Sequence, residues 1–205
     1  MELKTVINKI RQEVDVLTGD KAKNKRYASQ HTYPDERSAQ EAFVSSKAKL
    51  FDVNRWSDLS SFTADFSLHD QTGNPINGRQ PQAGDYVKIE LPGPIPENWV
   101  EVIDVTTEDR RAEFTVKPSR NPHQNEDTAK IDHFFQSQAR STFRVDIEGC
   151  TISAYEIGQH EAINNQKPQS GDRAIINTLV AEAGWLFHQL IQWQALTDYL
   201  VDRET

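Results

Sequence analysis

"STFRVDIEGCTISAYEI", Ser141 to Ile157, decides the fold. Phe143, Val145 and Ile147 alternate with Thr142, Arg144 and Asp146; Glu148-Gly149 interrupts, and Cys150, Ile152 and Ala154 resume the alternation. A period of two on both sides of a tight turn describes two antiparallel strands with one wet face. Working outward, the same period recurs. Ala112, Phe114 and Val116 form one arm of a second hairpin. Its other arm runs Val100, Val102 and then Ile103, Val105, a slip of one residue that a β-bulge produces. "YVKIELPG" carries Val87, Ile89 and Leu91 on alternate positions, and "SFTADFSLHD" carries Phe62, Ala64, Phe66 and Leu68. Six strands result, joined by polar loops rich in turn residues.

The flanks change to a helical period. "HTYPDERSAQEAF" reads as a helix start, with Pro34 in the first helical position and Asp35 and Glu36 facing the positive end of the helix dipole. Ala39, Ala42, Phe43, Leu50 and Phe51 supply its buried stripe. Further upstream, Leu3, Val6, Ile7, Ile10, Val14 and Leu17 predict an amphipathic helix that stops at Gly19. Asp20 to Thr32, including the basic run "DKAKNKR", reads as a solvated linker. At the other end, Ser170 or Asp172 caps a helix expected to reach Asp202. Leu179, Leu186, Trp193 and Leu200 recur on it every seven residues, and Val180, Phe187 and Val201 widen the stripe. A stripe that broad suits a helix lying on a sheet.

The expected architecture is therefore α+β: two N-terminal helices, a curved six- to seven-stranded antiparallel sheet, and a long C-terminal amphipathic helix packed on it. Residues 1–31 are expected to form an N-terminal helix and polar linker, and residues 32–205 a single domain. Strands and hairpins followed by "GDRAIINTLVAEAGWLFHQLIQW" is an order broadly similar to the helix-grip fold of the START-like family. That resemblance implies a cavity between sheet and C-terminal helix that holds an apolar ligand. Phe66, Phe114, Phe143, Leu186 and Trp193 would line it.

Catalytic signatures are sparse. The chain has no G-x-x-x-x-G-K-[ST], no G-x-G-x-x-G, no C-x-x-C and no G-x-S-x-G. In "QHEAINN", Asn164 stands where the second histidine of H-E-x-x-H belongs. His123, Glu126, Asp127, Asp132 and His133 crowd the loop "PHQNEDTAKIDHFF" and are weak metal candidates, although a polar solvated loop accounts for them. His69 beside Asp70 would point to the opposite face of a strand, and His188 reads as a core histidine. No catalytic residue, metal or cofactor is assigned.

The charge of -8, from 23 Lys and Arg against 31 Asp and Glu, argues against nucleic acid as the main partner. No stretch approaches the eighteen or so apolar residues of a membrane span, and the N-terminus lacks a signal-peptide core. The one cysteine, Cys150, has no disulfide partner in the chain, so a cytoplasmic protein is expected. Three functions fit. The first is a binding or scaffold module working through a protein interface or self-association, with Trp56, Trp185 and Ile191 as anchors. The second is a carrier of a small molecule or lipid in the cavity. The third is a hydrolase or isomerase using a carboxylate and a histidine.

Overall fold

The computed structural model describes residues 23–59, 64–90, 97–124, 137–161 and 185–203, with backbone alone at Lys23 and 185–191. Seven strands form one sheet. They are β1 (Lys23–Thr32), β2 (Asp65–His69), β3 (Tyr86–Glu90), β4 (Asn98–Thr107), β5 (Arg111–Ser119), β6 (Arg140–Glu148) and β7 (Thr151–Glu161). Their order is β1-β7-β6-β5-β4-β3-β2, and every neighbouring pair is antiparallel. Helix α1 (Glu36–Phe51) lies between β1 and β2, and α2 (Trp185–Leu200) closes the chain.

Strand β1 corrects the sequence reading. The segment expected to be a solvated linker pairs with β7 along its length, from Lys23 opposite Glu161 to Thr32 opposite Thr151. Its inward positions are Lys25, Tyr27, Ser29 and His31, so the apolar alternation that announces the other strands is missing. Its hydrogen bonds come from the ladder, and its inward Lys25, Ser29 and His31 side chains have polar partners.

Helix α1 starts two residues later than expected, at Glu36 instead of Pro34. Asp35, rather than a residue before Pro34, is the N-cap, and its carboxylate accepts from the Ser38 amide at 2.7 Å. Ala39, Phe43, Ser46 and Leu50 lie buried three or four residues apart. The chain then tightens into a 3₁₀ segment, Val53–Asp58, which inserts Trp56 into the core. The Trp56 indole donates to the Lys49 carbonyl at 3.1 Å. The β6–β7 turn centres on Gly149-Cys150, one residue beyond the expected pair; Gly149 takes the left-handed φ of 56° that such a turn requires. The slip expected in β4 is present, between Val102 and Asp104.

Both helices cover the same face of the sheet. That face presents Phe66, Leu68, Val87, Val100, Val102, Ala112, Phe114, Val116, Phe143, Val145, Ile147, Ile152 and Ala154, all buried. The opposite face carries ion pairs such as Arg111–Asp146 at 2.8 Å, Lys117–Glu101 at 2.9 Å and Arg144–Glu113. α2 ends in a Schellman cap without glycine: Asp202 has φ 55°, and the Arg203 amide donates to the Asp198 carbonyl at 3.0 Å. The expected helix at 3–17, the segment 126–133 and the stretch leading into α2 lie outside the described residues.

Candidate functional site

The helix-covered face turns polar where β1 and β7 meet. Along β7 the inward residues are Ile152, Ala154, Glu156 and Gly158, and regular alternation would next send His160 inward. It does not. Lys25 pairs with Gly158 and Lys23 with Glu161, so two steps on β1 face three on β7. His160 absorbs the extra residue with φ 53°, its amide donating to the Asn24 side-chain oxygen at 3.0 Å. The bulge leaves His160 exposed and turns Glu161 into the interior, where it is 2% exposed. Gly158 is necessary to this arrangement. A Cβ there would collide with the Glu161 carboxylate, which folds back over it.

The result is a charged group in a place that normally excludes charge. Glu156 is wholly buried. The Lys25 ammonium, also buried, lies 3.9 Å from the Glu161 carboxylate. Cross-strand pairing puts Tyr27 directly beside Glu156 on one side and Phe143 on the other. The Ser141 hydroxyl stands close enough to favour the charged form of Glu156 but falls short of hydrogen-bond geometry, so neither Glu156 oxygen is satisfied. Burial and then the nearby Glu161 charge push the Glu156 carboxyl well above its ordinary range, against the pull of Ser141 and Lys25. Burial also lowers the Lys25 ammonium, outweighing its attraction to Glu161 and Glu156. The Tyr27 phenol is raised by burial and by both carboxylates.

Helix α2 is fixed to β1 further along the strand. The Ser29 hydroxyl donates to Asp198 at 2.7 Å, accepts from Gln194 at 2.9 Å, and lies 2.9 Å from the Thr197 hydroxyl. At the end of β1, His31 Nδ1 is 3.0 Å from the Val201 carbonyl. This polar seam sets how closely α2 approaches the strand that carries Lys25 and Tyr27.

Of the residues expected to line a cavity, Phe66, Phe114, Phe143 and Trp193 come together. Phe114 and Phe143 have ring centroids 5.2 Å apart, Phe143 and Trp193 5.4 Å, and Phe66 and Trp193 6.3 Å. The Leu186 side chain is outside the described set. Trp56, expected at an interface, is instead 2% exposed at the centre of that ring cluster, 4.9 Å from Phe143, 5.6 Å from Phe66 and 5.8 Å from Phe114. The side chains of Trp185 and Ile191 are not described, and Val44 is the large exposed hydrophobic among the described residues. His123 Nε2 donates to the Gly73 carbonyl at 3.0 Å against the edge of Trp99; Glu126, Asp132 and His133 lie outside the described residues. His69 is held between Ser67 at 2.9 Å and the Gly73 carbonyl at 2.8 Å.

The sequence reading missed Lys25, Tyr27, Glu156 and Glu161. One signal was present: Glu156 falls on the same alternate positions as Ile152 and Ala154, which places a carboxylate in a core register. Glu161 gave none, because its inward direction depends on the bulge.

No family model and no curated protein matches this chain. Among solved structures it is similar to a hypothetical protein from Helicobacter pylori, at 10% identity and TM-score 0.47, over 91% of this chain and 92% of that one. It is similar to norcoclaurine synthase from Thalictrum flavum, at 10% identity and TM-score 0.42, over 93% and 94% of the two chains. A major latex-like protein from Panax ginseng aligns at 14% identity and TM-score 0.39, over 80% of this chain and 97% of that one. Likenesses of this size do not establish a family, and the site rests on this chain's own residues.

Proposed function

We propose that the protein binds a small molecule between the helix-covered face of its sheet and α2, as a carrier rather than as a scaffold. The observation that supports this reading is Glu156: wholly buried, with two oxygens that meet no hydrogen-bond donor. An unsatisfied buried polar group costs about 1–3 kcal/mol, and more when charged, so it persists where something other than stability retains it. A ligand that supplies the missing donors is such a reason. The aromatic cluster of Phe66, Phe114, Phe143 and Trp193 adjoins Glu156 through Phe143 and offers apolar surface for the rest of the molecule. The scaffold reading loses Trp56, which the core has absorbed.

Native mass spectrometry of protein purified from cells tests the reading. The expected spectrum shows a mass above that of the chain under gentle conditions, which falls to the chain mass after denaturation. A clean apo spectrum under both conditions would count against any ligand tight enough to copurify.

A further inference from the structure

We infer that the ligand carries an ammonium group, and that this group seats against Glu156 between Tyr27 and Phe143. The inference rests on the carrier reading above and adds the chemistry of the ligand's polar end.

Three observations lead to it. First, the interior cluster holds two carboxylates, Glu156 and Glu161, and one lysine, Lys25, which lies 3.9 Å from Glu161. Lys25 attracts Glu161 more strongly than Glu156, so with both acids ionised the cluster carries one negative charge more than its single lysine offsets. Second, both Glu156 oxygens are without hydrogen bonds, and an ionised carboxylate only accepts. A hydroxyl head brings one donor and an acceptor to that place; an ammonium brings three donors and the missing charge. An anionic head would add a third negative charge to the cluster. Third, the cross-strand row on this face runs Tyr27, Glu156, Phe143, so the carboxylate has an aromatic ring on each side. Aromatic faces attract a desolvated organic cation and suit one with an apolar stem. A metal ion fits less well, since among the described residues no third His, Cys, Asp or Glu joins these two acids to make a ligand set.

Binding moves a proton. In the empty protein burial and Glu161 disfavour a second negative charge at Glu156 and so favour its protonated form. When an ammonium arrives with its own proton, Glu156 ionises to pair with it and its proton passes to solvent. The charged and titratable groups that face Glu156 are Lys25 and Tyr27 on β1 and Glu161 on β7; on the described part of α2, Asp198 is engaged by Ser29.

Calorimetric titration of the full chain with n-hexylamine, n-hexanol and hexanoate compares one apolar stem under three heads. The amine is expected to bind at least about tenfold tighter than the alcohol, with hexanoate weakest. Repeating the amine titration in buffers of different ionisation enthalpy is expected to show proton release on amine binding, and none for the alcohol. Glu156→Gln is expected to abolish the advantage of the amine over the alcohol. Equal affinity for amine and alcohol, preference for hexanoate, or an amine preference that survives Glu156→Gln overturns the inference and leaves the carrier reading standing. Binding of none of the three also overturns it, and the native mass measurement then decides the carrier reading alone. The head-group comparison and the proton count are made on the unaltered chain, so they hold even if the variant does not fold.

Discussion

Glu156 makes stability depend on pH in a direction opposite to the usual behaviour of paired carboxylates. Its folded value is raised above the ordinary 4.5, so between 4.5 and the raised value the native chain binds more protons than the unfolded one. The native state is therefore favoured by this group below that window and loses the contribution as pH rises through it. Urea unfolding across the window is expected to show stability falling with pH, and Glu156→Gln to flatten that slope; an unchanged slope in the variant would assign it to other groups. Trp56 sits at the other extreme, wholly apolar in its surroundings apart from the indole bond to Lys49. Trp56→Ala is expected to cost about 3–5 kcal/mol in the same assay, the range for emptying a large aromatic from a core. Legibility at this scale divides along the same line. Phe66, Phe114 and Phe143 could be read because apolar residues on a period of two have one destination. Trp56 could not, because a 3₁₀ segment, which the local sequence does not signal, turns it inward. Lys25 could not either, since a lysine in a basic run is solvated unless a long-range strand pairing buries it.

At the scale of elements the bulge in β7 is the informative feature. Gly158 admits the Glu161 carboxylate, so Gly158→Ala is expected to destabilise by about 1–3 kcal/mol, the cost of overpacking. In a Glu161→Ala background most of that cost should vanish, because the group that would clash is gone; a thermodynamic cycle over the four proteins measures the coupling. Equal costs in both backgrounds would mean that the carboxylate does not lie over Gly158. His160 holds φ 53°, so His160→Val should cost about 1–2 kcal/mol for a β-branched residue in left-handed backbone, while His160→Gly should be far milder. The bulge in β4 was legible because Val102 and Ile103 break an otherwise strict apolar alternation. That in β7 was not: Gly158, Gln159 and His160 have no apolar phase to break. β1 was hidden for a related reason, as its inward residues answer to a buried cluster and to α2 instead of to a greasy interior.

The described residues form a single antiparallel sheet with two helices on one face, and its β1 edge is closed by α2. Ser29, Gln194, Thr197 and Asp198 hold that edge. Ser29→Ala leaves buried oxygens on Thr197 and Asp198 without their partner, an expected loss of about 1–3 kcal/mol. Because the bond joins β1 to α2, hydrogen exchange should quicken first in those two elements, ahead of β4 and β5; uniform acceleration would show that the seam is not a local clasp. The general plan, helices on one face of an antiparallel sheet and a C-terminal helix against it, was legible from periodicity, and no described helix is long and apolar enough to cross a membrane. Which strand occupied the β1 edge was not, because edge pairing joins residues more than a hundred positions apart, such as Thr32 and Thr151.

The β7 bulge also fixes where this chain tolerates a change in length. Removing Gln159 or His160 restores two steps on β7 against the two between Lys23 and Lys25, and Glu161 still points inward. Removing one residue between Ile152 and Gly158 instead reverses the facing of every position on one side of the cut. A one-residue alignment gap at 159 or 160 would therefore be silent for the interior, whereas one a few residues earlier would rewrite it.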